Sequence, residues 1–282
     1  MKRKFEENEE EKTKNFCIKY MSLEITEKKG KLEVVNTANN LDQPLCDNLI
    51  EPLPNYSGFQ WIIAGQSGTG KTSLLLSLLT QKSKKKEPKR SYRKLFDHII
   101  VVSPTLGSGK SNKKDPLADL PEEQKFKDFN YQTMRQVYDM CEEWREDDEH
   151  TLVIFDDVTS QLKKDYQAMK LLGEFSQNRR HIYTSIFLLT QKWTDVPLSV
   201  RANCSHFSSY RPKNNVELEA ICGEMMPFLK KHWLEIMNHI FTDEDRFAFL
   251  LVDMSMKKSN KVLFYNKFNR LLIEDSSTGI SC

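Results

Sequence analysis

The chain has no apolar run approaching the ~20 residues that a bilayer-spanning helix needs, and its opening, MKRKFEENEEEK, carries no apolar core of the kind a secretory leader requires. A membrane span and a cleaved leader are therefore not expected. Cysteine is sparse and scattered: Cys17, Cys46, Cys141, Cys204, Cys222 and Cys282, with no C-x-x-C pair. That pattern suits free thiols in a reducing compartment rather than a disulfide frame. Cys204-Ser205-His206 has no second ligand pair nearby, which argues against a metal centre, and His232 and His239 read as part of a helical surface. Net charge is small, +2 over 282 residues, so overall charge points neither toward nor away from nucleic acid. No internal repeat is visible. What remains is an ordinary globular composition, 39% hydrophobic and 29% charged, long enough for one large α/β domain with a sizeable core.

The stretch that organises the chain is FQWIIAGQSGTGKT, residues 59–72. A short apolar run ends in a loop with glycines at 65, 68 and 70, followed by Lys71, Thr72 and a leucine-rich helical segment. This is G-x-x-x-x-G-K-[ST] in its required strand–loop–helix setting. Glycines let the backbone take positive φ and approach a phosphate without a Cβ in the way. The N–H groups of Gly65, Gln66, Ser67, Gly68, Thr69, Gly70, Lys71, Thr72 and Ser73 would then form an anion nest at a helix N-terminus. Lys71 would bring a point charge to the β- and γ-phosphates, and Thr72 a hydroxyl to Mg²⁺.

A second apolar run, His98–Val102, predicts a strand covered on both faces. A third, Thr151–Phe155, ends in Asp156 and Asp157, which places two carboxylates at the C-terminal edge of a sheet, where doubly wound folds bind ligands. Beside a phosphate loop this reads as a Walker B element. Asp156 would hold Mg²⁺ through its water shell, and Asp157 would orient and partly deprotonate the attacking water. A fourth run, Thr184–Leu189, closes in Thr190-Gln191, and Gln191 is the candidate that senses the γ-phosphate or the water. Helices are expected over 71–81, 131–146, 160–180 and 215–240, and further strands over 247–252 and 261–265, as an edge hairpin or as additions to the main sheet. The stretch 195–213 is read for its arginines, Arg201 and Arg211.

Residues 81–94, QKSKKKEPKRSYRK, form a basic run. It is either a solvated linker or a contact to nucleic-acid backbone, since clustered Lys and Arg without base-reading geometry suit phosphate neutralisation. Residues 106–128 read as a long loop or insertion.

In chain order, one further strand lies between the phosphate-loop strand and the Walker B strand, a second acid follows the first, and a polar strand end comes next. That order resembles the ASCE branch of P-loop NTPases, the RecA-like group, and no N-K-x-D guanine reader is visible; ATP is implied by this resemblance. The match sharpens where GQSGTGKT (65–72), LVIFDDV (152–158) and FSQNRRHIYTSIFLLTQ (175–191) occur together. With the following VPLSVRAN (196–203) they resemble the FtsK/HerA superfamily, and within it the A32-like virion DNA-packaging ATPases of large double-stranded DNA viruses, virophages and Polinton-type elements. The resemblance implies a mostly parallel sheet flanked by helices, ATP and Mg²⁺ as ligands, and double-stranded DNA as the translocated partner. It also implies a homo-oligomeric ring, contacts to capsid or portal-vertex proteins, and a location at virion assembly in the host cytoplasm or nucleus or in the virion. An arginine from a neighbouring subunit would complete each site, with Arg201 and then Arg180 as candidates.

The expected organisation is a charged N-terminal tail and small appendage over 1–50, the ATPase domain over 51–270 and a loose tail over 271–282. Three functions compete. The first is a DNA-packaging ATPase. The second is another ASCE machine, a helicase or an AAA+ remodeller, the latter requiring a helical lid after the core. The third is a nucleotide-binding scaffold without turnover, against which the complete set Asp156, Asp157 and Gln191 argues.

Overall fold

The structure, a computed structural model, describes residues 43–82, 90–105, 117, 119–256, 261–275 and 280–281. Most of the charged tail and small appendage expected over 1–50, the basic residues Lys84, Lys85, Lys86 and Lys89, and most of the 106–118 segment lie outside the described residues.

In chain order the elements are β1 (Gln60–Ala64), α1 (Lys71–Thr80), β2 (His98–Val102), β3 (Lys125–Phe126), α2 (Tyr131–Glu146), β4 (Thr151–Asp156), α3 (Thr159–Leu162), α4 (Tyr166–Asn178), β5 (Thr184–Thr190), α5 (Leu198–Arg201), β6 (His206–Tyr210), α6 (Asn215–Met225), α7 (Trp233–Ile240), β7 (Phe249–Asp253), β8 (Leu263–Asn266) and β9 (Asn269–Arg270). They build a nine-stranded sheet in the order β3-β2-β4-β5-β1-β6-β7-β8-β9. The strands from β3 to β6 are parallel and the last three antiparallel.

Side chains alternate across the strands because the pleat has period two, and both faces are covered. On one face Ile62, Val153, Phe155, Ile186 and Leu188 pack with residues of α2, α4, α6 and α7. On the other Trp61, Ile63, Ile154, Phe187 and Leu189 meet Leu74, Leu75, Leu78 and Leu79 of α1. Phe59 joins this second face, stacked on Tyr92 at 5.4 Å and edge-on to Phe187 at 5.5 Å. Each such buried aromatic contributes about 1.5–3 kcal/mol over its exposed state. The lead-in also belongs here: Leu49 and Leu53 are buried, and Leu49 bridges Arg90. The packed domain thus takes in residues ahead of position 51.

Several expected elements change shape. The helix expected over 160–180 is two, α3 and α4, because Asp165 turns the chain. Its carboxylate accepts from Ala168 N–H at 2.9 Å to cap α4 and from Tyr131 N–H at 2.9 Å at the start of α2. The helix expected over 215–240 is broken at Pro227, which lacks the N–H a helix interior needs, and a 3₁₀ segment, Pro227–His232, separates α6 from α7. The stretch 195–213 holds α5 and the fully buried strand β6. Glu274–Asp275 and Ile280–Ser281 pair as a short antiparallel ladder where a loose tail is expected. Among the described residues no helix is long and apolar enough to cross a membrane.

Candidate functional site

Parallel pairing decides the site. β1, β4 and β5 run the same way, so the loops after Ala64, Asp156 and Thr190 all leave the same edge of the sheet. The strand between the phosphate loop and the twin acids in space is β5, not 98–102, which intervenes only in the sequence. Gln191 therefore emerges between Gly65 and Asp156. A cleft of about 310 Å³ collects Ser67, Gly68, Gly70, Lys71, Thr72 and Ser73 with Asp156, Asp157 and Gln191.

The loop is shaped by close approach. A Cβ on Gly65 would stand 2.8 Å from Thr69 Oγ1 and 2.9 Å from Tyr210 Cβ, so only glycine fits. Gly70 caps α1 at φ 105°, a left-handed conformation. Helices α2, α4 and α6 each begin with an Asn or Asp side chain accepting from the first turn. α1 has no side-chain cap and no acid in its first turn. Its N–H groups are left to an external anion.

Lys71 Nζ donates to the carbonyls of Gly65 at 2.6 Å and Gln66 at 3.0 Å, which leaves the third ammonium proton for a phosphate oxygen. Burial pulls the Lys71 ammonium pKa down, against the opposing charges of Asp156 and Asp157. Burial raises the Asp156 carboxyl, Lys71 acts against this, Asp157 adds to it, and a hydrogen bond with the Thr72 side chain lowers it. Thr72 and Asp156 thus bring two hard oxygen donors together beside the loop, a set that fits Mg²⁺. Asp157 adopts φ 57°, a conformation that L residues avoid and that is found at functional positions. Its Oδ1 accepts from Gln191 Nε2 at 3.0 Å.

Two candidates stand apart. Arg201 pairs with Glu224, its guanidinium 5.2 Å from the Trp193 ring, and does not line the cleft. Arg180 packs on Gly58, which precedes β1, so it sits at the far edge of the sheet, about 16 Å away by the length of β1 at ~3.3 Å per residue. Arg211 pairs with Asp243 at 3.2 Å. Among the described residues no His/Cys/Asp/Glu cluster suits a metal, Cys204 and His206 included. Two lining residues escape the sequence reading, Thr105 and Phe247. Thr105 follows the end of β2, a strand-end signal like that of Gln191, whereas nothing in the sequence around Phe247 marks it.

A glycine loop on an uncapped helix, paired acids two strands over and a polar residue at the end of the strand between them define a P-loop NTPase fold of the ASCE arrangement. Residues 53–277 match the family described as "Poxvirus A32 protein", and the chain belongs to that family. It is 28% identical over 201 residues to the DNA packaging protein OPG160 of Variola virus and to that of Vaccinia virus (strain Western Reserve), covering 69% of this chain and 69% of each relative. Among solved structures it resembles B204, the DNA-packaging ATPase from Sulfolobus Turreted Icosahedral Virus, with TM-score 0.53 and 14% identity over 74% of this chain and 98% of that one. The B204 packaging NTPase of Sulfolobus turreted icosahedral virus 2, in complex with ATP-gammaS, aligns with TM-score 0.50 and 16% identity over 74% of this chain and 97% of that one. At these identities the structural likeness speaks for the fold.

Proposed function

We propose that the protein is an ATPase that translocates viral double-stranded DNA into a preformed capsid. The observation that carries this is the convergence of Lys71, Thr72, Asp156, Asp157 and Gln191 on one cleft in a chain of the A32 family. The loop N–H groups and Lys71 bind the triphosphate. Thr72 and Asp156 would hold Mg²⁺, which when bound neutralises phosphate charge. Asp157 takes the proton of the attacking water as general base. Gln191, whose amide holds the Asp157 carboxylate, orients that base and reports on the γ-phosphate end of the cleft. Asp is one methylene shorter than the Glu common in this role, so the attacking water must sit closer to Asp157 or be reached through another group.

The remaining parts of the reading concern assembly. Neither Arg180 nor Arg201 lines the cleft of its own chain, so either acts only on a neighbour's site, as a ring of subunits would allow. An arginine supplied in this way is worth ~10³–10⁵ in rate in other P-loop enzymes. Arg201 would first have to leave Glu224. The basic run 81–94 is the candidate contact to DNA backbone, and capsid or portal-vertex proteins are the expected docking partners at the assembly site. The AAA+ alternative loses support from the C-terminal region, where β7 and β8 extend the sheet in place of a helical lid.

The test is phosphate release with and without double-stranded DNA. ATP turnover that rises with DNA is expected, and Lys71→Ala should abolish it. A Lys71→Ala protein that hydrolyses as fast as wild type would remove the phosphate-loop assignment. Strand-displacement assays separate a helicase from a translocase.

A further inference from the structure

The cleft ends on a ring that hydrolysis does not use. Phe247 lines the same cavity as Lys71 and Asp156 and is 50% exposed. It stands beside the cap of α1: a Cβ on Gly70 would come 3.4 Å from Phe247 Cδ1 and 3.4 Å from the Tyr210 hydroxyl. The ring is presented by a braced turn. Asp245 Oδ1 accepts from Phe247 N–H at 3.1 Å, the Asp245 carbonyl accepts from Ala248 N–H at 3.1 Å, and Lys267 Nζ pairs with the Asp245 carboxylate at 2.5 Å. The Arg246 guanidinium lies over the ring, 4.9 Å from its centroid.

The sheet order tells which end of a nucleotide meets this ring. Asp156, Asp157 and Gln191 leave β4 and β5, on one side of β1, whereas Tyr210 and Phe247 belong to β6 and to the entry of β7, on the other side. A triphosphate whose γ-end faces the acids, and whose α- and β-phosphates sit on the N–H groups around Gly70 to Ser73, runs across β1 away from those acids. Its sugar and base then leave the loop toward Phe247. A half-exposed phenyl ring has no use for a phosphate but matches the π-face of a base.

Resting on the nucleotide-site reading above, we propose that Phe247 is the platform on which the base of a purine nucleoside triphosphate stacks, with the Tyr210 hydroxyl at the platform's edge. The experiment measures binding of ATP and of inorganic tripolyphosphate, each with Mg²⁺, by calorimetry on wild type, Phe247→Ala and Phe247→Tyr. Phe247→Ala should weaken ATP roughly tenfold or more, by analogy with loss of a base–aromatic stack. Tripolyphosphate, which has no base, should bind unchanged, and Phe247→Tyr should restore ATP affinity. ATP affinity unchanged in Phe247→Ala overturns the proposal while leaving the nucleotide site intact. Equal loss of ATP and tripolyphosphate also overturns it, because the ring would then be supporting the loop. A wild-type protein that binds neither ligand removes the phosphate-loop reading, and this inference with it.

Discussion

The two edges of one sheet carry carboxylates in opposite electrostatic states. At the edge where the parallel strands end, Asp156 is pushed up by burial and by Asp157, and Lys71 beside it is pushed down by burial. At the other edge, Asp253 at the end of the antiparallel strand β7 is 2% exposed and lies 3.3 Å from His206 Nε2. Burial alone would raise its pKa, but His206 and the Ser255 hydrogen bonds outweigh that and hold it at about 2. Ser205 extends this network: its hydroxyl meets His206 Nδ1 at 3.0 Å and accepts from Gln60 N–H at 2.9 Å. One edge holds its charged groups at an open cleft, and the other surrounds the Asp253 carboxylate with partners that join β1, β6 and β7. The difference teaches that burial alone does not set the direction of a shift. The partners supplied do.

Asp157→Asn should leave ATP binding intact and cut turnover by ~10²–10⁴, the usual worth of a general base, measured as steady-state phosphate release. Full turnover would sink the assignment of that edge as the catalytic one. Asp253→Ala should do the reverse. It leaves His206 buried without its carboxylate and should destabilise the fold by roughly 3 kcal/mol, read by urea denaturation, with turnover per folded molecule unchanged. A loss of turnover without a loss of stability would break the contrast.

Acid sharpens it. The Asp253 pKa is depressed from 3.8 to about 2, so its contribution is present above the unfolded value and is lost as pH falls through that window, about 2 kcal/mol in all. Unfolding midpoints in urea between pH 5 and pH 2 should show the loss, and Asp253→Ala should flatten it. The smallest effect is at the functional edge. The raised Asp156 pKa means that its charged form costs stability at neutral pH. Asp156→Asn should therefore melt no lower than wild type while abolishing Mg²⁺-dependent turnover. A clear fall in melting temperature would show that Asp156 is a structural partner of Lys71 rather than a tolerated strain.

Much of this was legible in the residues. The apolar runs ending in Gly65, Asp156 and Gln191 mark three parallel strands and the polar residues at their ends, because a strand covered on both faces leaves a continuous hydrophobic signature. β6 gave no such signature. His206-Phe207-Ser208-Ser209-Tyr210 is polar by composition, yet every position is buried. Its serines are there to meet partners that the sequence cannot display, such as Trp61 Nε1, which donates to Ser208 Oγ at 2.9 Å. The breaks at Asp165 and Pro227 were missed for the opposite reason, since apolar periodicity runs through both.

The sequence by itself determined the candidate site, because a phosphate-loop pattern and a strand ending in paired acids are local patterns whose spacing is read without the fold. Only the tertiary structure decided that β5 stands between them, that Arg180 and Arg201 lie outside the cleft, and that Phe247 stands at its end. Those relations depend on which strands pair and on which edge each loop leaves, and pairing is a contact between residues far apart in the chain.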